Sequence, residues 1–210
     1  DCLNIDTIRE ATLGVANYIK KRSKQPRIAI CYDSRNKSEE FARETARVFA
    51  LQGCMVFISP TLMPTPFLSY VVRNMDCDLG VCITASHNSK EYNGYKVYGE
   101  DGCQITKKAA CEIQKEILEV NGLVSKQGAS FEEYRNLGNI QFVQERMVDE
   151  FCKEILSLGF GENTKSDLKI VYSPLNGAGK LCVTKVLERK GYQDITVVEQ
   201  QSEPDGNFPT

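Results

Sequence analysis

Apolar residues recur at helical spacing over residues 7 to 22, where Ile8, Thr12, Val15 and Ile19 share one face while Arg9, Lys20 and Lys21 lie off it. Pro26 follows the basic end, so an amphipathic helix is predicted there. The run "RIAICYD" has the apolar density of a strand, and "DSRNKS" is a polar loop leading into "SEEFARETARVFALQG". In that second helix Ser38 is the expected N-cap, and Glu39 and Glu40 suit the positive end of the dipole. Phe41, Thr45, Val48 and Phe49 share a face, and Gly53 is a stop signal. "CMVFIS" reads as the next strand, which makes residues 27 to 59 a strand–helix–strand crossover, expected parallel and right-handed. The class is therefore α/β.

The same patterning continues. Thr65 as N-cap and Pro66 at the first helical position open a helix with Leu68, Val71, Val72 and Met75 on its apolar stripe, and "DLGVCI" is a third strand. "GYKVY" predicts a further strand, and Thr106 to about Val120 a helix with Ile113, Ile117 and Val120 aligned. The stretch 121 to 130, "NGLVSKQGAS", is aperiodic and suits a linker, and a helix is expected from about 141 to 158. After it, "LKIVYSPLNGAGKLCVTKVLERKGYQDITVVEQ" repeats the plan of residues 27 to 59, with Gly191 ending its helix. Two related domains joined near 121 to 145 are one expectation, and a single continuous sheet is the other. The second repeat stops at "SEPDGNFPT" without a closing element, as in a fragment.

Composition narrows the function classes. The chain has 210 residues, 41% hydrophobic and 26% charged, with 26 basic against 28 acidic side chains and a formal net charge of -2. That balance, without long single-sign blocks, disfavours nucleic acid and membrane surfaces as partners. Nine cysteines form no CxxC pair, and several, such as Cys31 and Cys82, sit inside apolar runs as small hydrophobes. Reduced thiols and a cytoplasmic location are expected. The first residues lack the basic start and apolar run of a signal peptide, and no window reaches transmembrane length.

Ligands of open α/β sheets bind beyond the carboxyl ends of the strands, and three polar loops leave such ends: 33 to 38, 84 to 94 and 173 to 179. The second, within "ITASHNSKEYNGYKVYG", holds Thr84, Ser86, His87, Asn88 and Asn93 and is followed by Lys96, all able to contact an oxyanion or phosphate. From spacing alone, a hydrophilic connection with an Asn-Gly turn at 93 and 94 accounts for the stretch equally well. A Ser-His-acid hydrolase is disfavoured, because adjacent side chains usually diverge, His87 is the sole histidine and the G-x-S-x-G elbow is absent. "NGAGKL" at 176 to 181 departs from a P-loop, with Pro174 where Gly is required and Leu181 where Ser or Thr should meet Mg²⁺. A glycine-rich helix entry there could still offer backbone N–H groups to a phosphate. "PDGNFP" supplies only Asp205 toward a metal.

"TASHN" at 84 to 88 resembles the active-site serine loop of the α-D-phosphohexomutases, the phosphoglucomutase and phosphomannomutase family. "YDSRNKSEEFA" at 32 to 42, "YNGYKVYGEDGCQI" at 92 to 105 and "PDGNFPT" at 204 to 210 resemble other signatures of that family, in the same order. "NGYKVY" is most similar to the branch of phosphopentomutases and phosphopentomutase-like phosphoglucomutases.

The resemblance implies a three-layer α/β/α fold with a mostly parallel mixed sheet. One complete domain would cover 1–140, and the N-terminal part of a second, similar domain 141–210. It implies that Ser86 carries a phosphoryl group, passed between positions of a sugar through a sugar bisphosphate such as glucose 1,6-bisphosphate. Lys96 resembles the general acid/base. His87 and Asn88 would flank and orient the phosphoserine or the substrate, and Arg35 matches the arginine of the "DSR" loop, though a helix-entry arginine can also simply be solvated. Mg²⁺ would meet the phosphoryl group on Ser86, with aspartates from a "DGDxD"-like loop expected beyond Thr210. Ser89 departs from the proline that commonly follows "SHN". On this resemblance the chain by itself is expected to be inactive. A phosphopentomutase of the same family, or a non-catalytic module that binds phosphorylated sugars, are the alternatives.

Overall fold

The first helix, α1 (Ile5–Lys20), begins at a capping box that periodicity did not reveal. The Asn4 side chain accepts from the N–H groups of Asp6 and Thr7, and the Thr7 hydroxyl accepts from the Asn4 N–H. The computed structural model describes residues 3–120, 127–159 and 166–209. After α1 come β1 (Arg27–Tyr32), α2 (Ser38–Leu51), β2 (Met55–Ile58), α3 (Thr65–Asn74), β3 (Leu79–Ile83), β4 (Tyr95–Gly99) and α4 (Lys107–Glu119). Then follow α5 (Phe131–Asn136), β5 (Ile140–Phe142), α6 (Glu145–Ser157), β6 (Ser166–Tyr172), α7 (Lys180–Lys190) and β7 (Tyr192–Val197). The chain divides into two compact units, Asp1–Asp33 with Lys37–Val143, and Ser34–Asn36 with Gln144–Thr210.

In the first unit the described strands form one sheet in the order β4-β3-β1-β2-β5, with only the β3–β4 pair antiparallel. The expected crossover is there: Arg27 to Ile30 pair in parallel with Met55 to Ile58. Alternation along the strands sorts the two faces. Ile28, Ile30, Val56, Ile58, Val81 and Ile83 pack with Ile8 and Val15 of α1, Phe41 and Phe49 of α2 and Ile113 of α4. The opposite face carries α3, whose Val72 and Leu68 lie against Gly80 of β3. The result is the three-layer α/β/α fold with a mostly parallel mixed sheet. Each fully buried Phe or Ile stabilises it by about 1.5–3 kcal/mol relative to exposure.

The second unit repeats the strand–helix–strand plan on a smaller scale. β6 and β7 pair in parallel, Tyr172 beside Val197, with α7 between them in sequence. Gly53 and Gly191, expected to end helices, both take positive φ, 82° and 105°.

Three local expectations are corrected. The helix placed at 141 to 158 is Glu145–Ser157, preceded by the three-residue strand β5, which is too short to show a period and exists because it pairs with β2. Ser38 does not cap α2: Lys37 holds that position in the left-handed region (φ 66°), and the Ser38 hydroxyl is engaged elsewhere. The α3 cap is Pro64, not Thr65, whose hydroxyl lies 3.7 Å from the Cys82 sulfur. Of the expected linker, residues 121–126 fall outside the described residues. Among the described residues, eight cysteines are free thiols, and no helix is long and apolar enough to cross a membrane.

Candidate active site

The sheet order places β1 between β2 and β3, so the chain turns one way from β1 to β2 and the other way to β3. Loops leaving β1 and β3 diverge at such a switch point and open a crevice at the carboxyl ends of the strands. The segment after β3 is the "TASHN" loop. Thr84 and Ala85 are still buried, whereas Ser86, His87 and Asn88 are exposed.

Ser86 sits in a tight turn closed by the Asn88 N–H donating to the Ala85 carbonyl, 3.1 Å. Its φ is +60°, the left-handed region, at a position where turns usually place glycine. Such a conformation costs a non-glycine residue about 1–3 kcal/mol, and strain of this kind concentrates at functional sites. Two bonds hold it. The Ser86 N–H donates to Thr84 Oγ1 at 2.9 Å, and the Thr84 N–H donates to the Gly94 carbonyl, also 2.9 Å. Thr84, expected to be available to an anion, is thus 3% exposed and committed to the loop itself. The Ser86 hydroxyl lies 3.4 Å from Nδ1 of His87, a long contact whose donor depends on the imidazole tautomer.

Lys96 is on β4, directly across from Cys82 in the antiparallel register, so the two side chains share the α3 face near the serine loop. The Cys82 thiol registers its surroundings. Burial pushes it up to about 11, against the Thr65 hydrogen bond and the positive charge of Lys96, while Asp33 adds to the upward shift. The first unit therefore carries Ser86, His87 and Asn88 on one loop and Lys96 on the strand that follows it.

Arg35 behaves differently. By its contacts it belongs to the second unit, with its guanidinium 5.5 Å from the centre of the Phe208 ring, and at 6% exposure it is not a solvated helix-entry arginine.

Sequence reading missed a polar chain behind the loop. The Ser38 hydroxyl, itself fully buried, donates to Asp33 Oδ1 at 2.7 Å and accepts from Asn93 Nδ2 at 2.9 Å. Asn93 Oδ1 in turn accepts from the Gly94 N–H at 2.8 Å. Partners 55 residues apart leave no periodic signal. Gly94 carries the one steric clue: a Cβ there would stand 2.6 Å from the Thr84 carbonyl oxygen, so only glycine lets the two ends of the loop meet. As for a metal, no group of three or more His, Cys, Asp or Glu among the described residues is arranged to hold an ion.

Comparison with known proteins bears on this site. Residues 1–122 match the family model "Phosphoglucomutase/phosphomannomutase, alpha/beta/alpha domain I", and residues 149–210 match the model for domain II. A phosphoglucomutase of Staphylococcus haemolyticus is 38% identical over 208 residues, covering 98% of this chain and 37% of that protein. A phosphoglucomutase of Staphylococcus aureus is 36% identical over 212 residues, with the same two shares, 98% and 37%. The chain thus spans little more than a third of the length of the curated relatives it matches. Among solved structures, a putative phosphomannomutase from Thermus thermophilus superposes with a TM-score of 0.82 at 20% identity, over 99% of this chain and 44% of that one. The open form of pp63/parafusin from Paramecium gives 0.74 at 16% identity, over 96% of this chain and 41% of that one. At such identities the likeness is one of fold.

Proposed function

The chain belongs to the phosphoglucomutase/phosphomannomutase family, and we propose from this that Ser86 is the phosphoryl carrier of a phosphosugar mutase. The observation that carries the proposal is the exposed Ser86 hydroxyl, held at positive φ on the turn that leaves β3 at the switch point. In the forward step a hydroxyl of a sugar monophosphate attacks the phosphorus of phosphoserine, the bond from phosphorus to Ser86 Oγ breaks, and a sugar bisphosphate forms. Lys96 takes the proton of the attacking hydroxyl and returns one to Oγ. After the bisphosphate turns round, the other phosphoryl group passes back to Ser86, and the sum is an isomerisation.

Phosphoryl transfer asks for positioning and charge neutralisation rather than a strong nucleophile, so a serine hydroxyl is sufficient. His87, next to Oγ, and Asn88, at the end of the turn, orient the phosphoryl group. Arg35, matched to the arginine of the "DSR" loop, is proposed as a substrate-binding residue. Mg²⁺, when bound, would neutralise charge on the transferred group. The described residues supply no carboxylate cluster for it, and Ser86 would contribute only through its phosphoryl oxygens. The two halves correspond to a first domain over 1–140 and the beginning of a second over 141–210, a division supported by the gap between the two family matches. Relatives that are phosphoglucomutases make glucose phosphates the first substrates to try.

The test is mutase turnover of glucose 1-phosphate by the full-length gene product with Mg²⁺ and glucose 1,6-bisphosphate, together with phosphopeptide mapping. The expected result is phosphate on Ser86 and no turnover in Ser86→Ala or in the 210-residue chain alone. Phosphate on a different residue, with Ser86→Ala fully active, overturns the proposal.

A further inference from the structure

The polar side chains behind the serine loop form one continuous path. It runs from Asp33 Oδ1 to the Ser38 hydroxyl, to the Asn93 carboxamide, to the Gly94 N–H, and through the Gly94 carbonyl to Thr84, whose hydroxyl holds the Ser86 N–H. Every step is 2.7–2.9 Å, within ordinary hydrogen-bond range. All of these residues lie in the first unit.

Three features set this path apart from a generic loop network. Its node, Ser38, is fully buried and sits where local rules would have made it a helix cap, yet Asp33 and Asn93 hold its hydroxyl and the cap is left to Lys37. Lys37, next in sequence to the node Ser38, and Ser86, at the far end of the path, both lie in the left-handed region, and such conformations persist only where the surroundings over-determine them. The path also joins both ends of the serine loop, Thr84 at the exit of β3 and Gly94 two residues before Lys96, through the 2.9 Å bond from the Thr84 N–H to the Gly94 carbonyl, where a side chain on Gly94 would collide with the Thr84 carbonyl oxygen.

We infer that Asp33, Ser38 and Asn93 are positioning residues for phosphoryl transfer, holding the Ser86 turn against the strand that carries Lys96. This rests on Ser86 being the phosphoryl carrier. A misplacement of about 1 Å at a transfer site lowers a rate by about 100-fold, so a rigid clamp on this turn matters to the chemical step more than to substrate affinity. The part-buried, charge-assisted bond from Ser38 to Asp33, just past the end of β1, anchors the clamp beside the sheet.

The experiment uses the full-length protein with glucose 1,6-bisphosphate as phosphoryl donor. Phosphate arriving on Ser86 is followed by intact mass and peptide mapping, alongside kcat and KM for glucose 1-phosphate and thermal melting. Ser38→Ala and Asn93→Ala are each expected to slow transfer to Ser86 and lower kcat by about 10- to 100-fold, with KM changed less than about twofold. The double variant should be no slower than the worse single variant, because both break one path. Ser38→Thr, which keeps the hydroxyl, should recover most of the rate. If Ser38→Ala fails to fold, Asn93→Ala and Ser38→Thr decide the matter in the same way.

Wild-type transfer rates in Asn93→Ala, or losses that multiply in the double variant, overturn the positioning role while leaving Ser86 as carrier. Phosphate found on wild-type protein at a residue other than Ser86 overturns both.

Discussion

The two units of this chain use the same local grammar and reach different ends. β1 and β6 are both apolar strands followed by a polar loop, a helix and a parallel partner strand. β1 is buried over Ile28 to Tyr32, because β2 and β3 flank it and helices cover both of its faces. β6 pairs only with β7 among the described strands, and its Leu168 and Val171 are 60% and 73% exposed. The helices differ likewise: α2 buries Phe41, Val48 and Phe49, whereas α7 buries only Cys182. The strand–helix–strand part of the second unit thus buries little by itself, and the buried apolar side chains of that unit come mainly from α6, with Met147, Val148, Phe151 and Cys152.

The sharpest way to break this contrast is core truncation. Phe49→Ala removes a fully buried ring and should destabilise the first unit by about 3–5 kcal/mol. Leu168→Ala in the second unit should stay within about 0.5 kcal/mol. Denaturant titration of both variants of the 210-residue chain checks this, and equal losses would show that Leu168 is packed as tightly as Phe49.

The charge networks give the next largest effect. Glu44 is largely covered, its side chain 13% exposed, between Arg9 and Arg47 at 2.5 and 2.6 Å. Burial pushes its carboxyl up, but the Arg47 and Arg9 hydrogen bonds and charges outweigh that and hold it below the usual carboxylate range. A carboxylate lowered on folding adds stability that is complete above its unfolded pKa, near 4.5, and is lost as pH falls through the folded value. Glu44→Gln should therefore cost about 1.5–3 kcal/mol at pH 7 and flatten the decline in stability below pH 4.5. In the second unit Asp149 is held low by Lys185 and Arg189, but it is solvent-facing, and Asp149→Asn should leave the unfolding midpoint nearly unmoved.

The smallest effect is in thiol reactivity. Burial pushes Cys54 and Cys77 in the first unit, and Cys182 in the second, up to about 12. Exposed Cys103 and Cys111 should alkylate first at pH 8, followed by Cys182 and then by Cys54 and Cys77, because the less covered unit opens more readily. Peptide mass spectrometry over time reads that order.

Much of the fold was legible where a local rule governs the residue. The faces of α1 and α2 follow from the period of 3.6, the strand runs of β1, β2 and β3 from short continuous apolar stretches, and the helix stops at Gly53 and Gly191 from the tolerance of glycine for the positive φ seen there. β5 was not legible, since Ile140–Phe142 becomes a strand only by lying beside β2. Ser38 shows the same limit at the level of one side chain. Its place before Glu39 and Glu40 predicts a cap, and the competition was won by Asp33 and by Asn93, far away in sequence. Of the candidate site, the loop with Ser86, His87 and Asn88 and the strand with Lys96 were visible as polar residues at a strand end. The left-handed turn under Ser86 was not, because no glycine announces it.

By itself, then, the sequence determined the α/β class, the crossover between β1 and β2, the serine loop at a strand exit and the resemblance to the family to which the chain belongs. Tertiary structure decided which strands are neighbours, that Arg35 packs with the second unit, and that a continuous hydrogen-bonded path runs from Asp33 to the Ser86 turn. The division has a physical cause. Helix faces, strand alternation and turns depend on residues a few positions apart, whereas strand order, burial and polar networks depend on contacts whose partners lie tens of residues away and are chosen only as the layers pack.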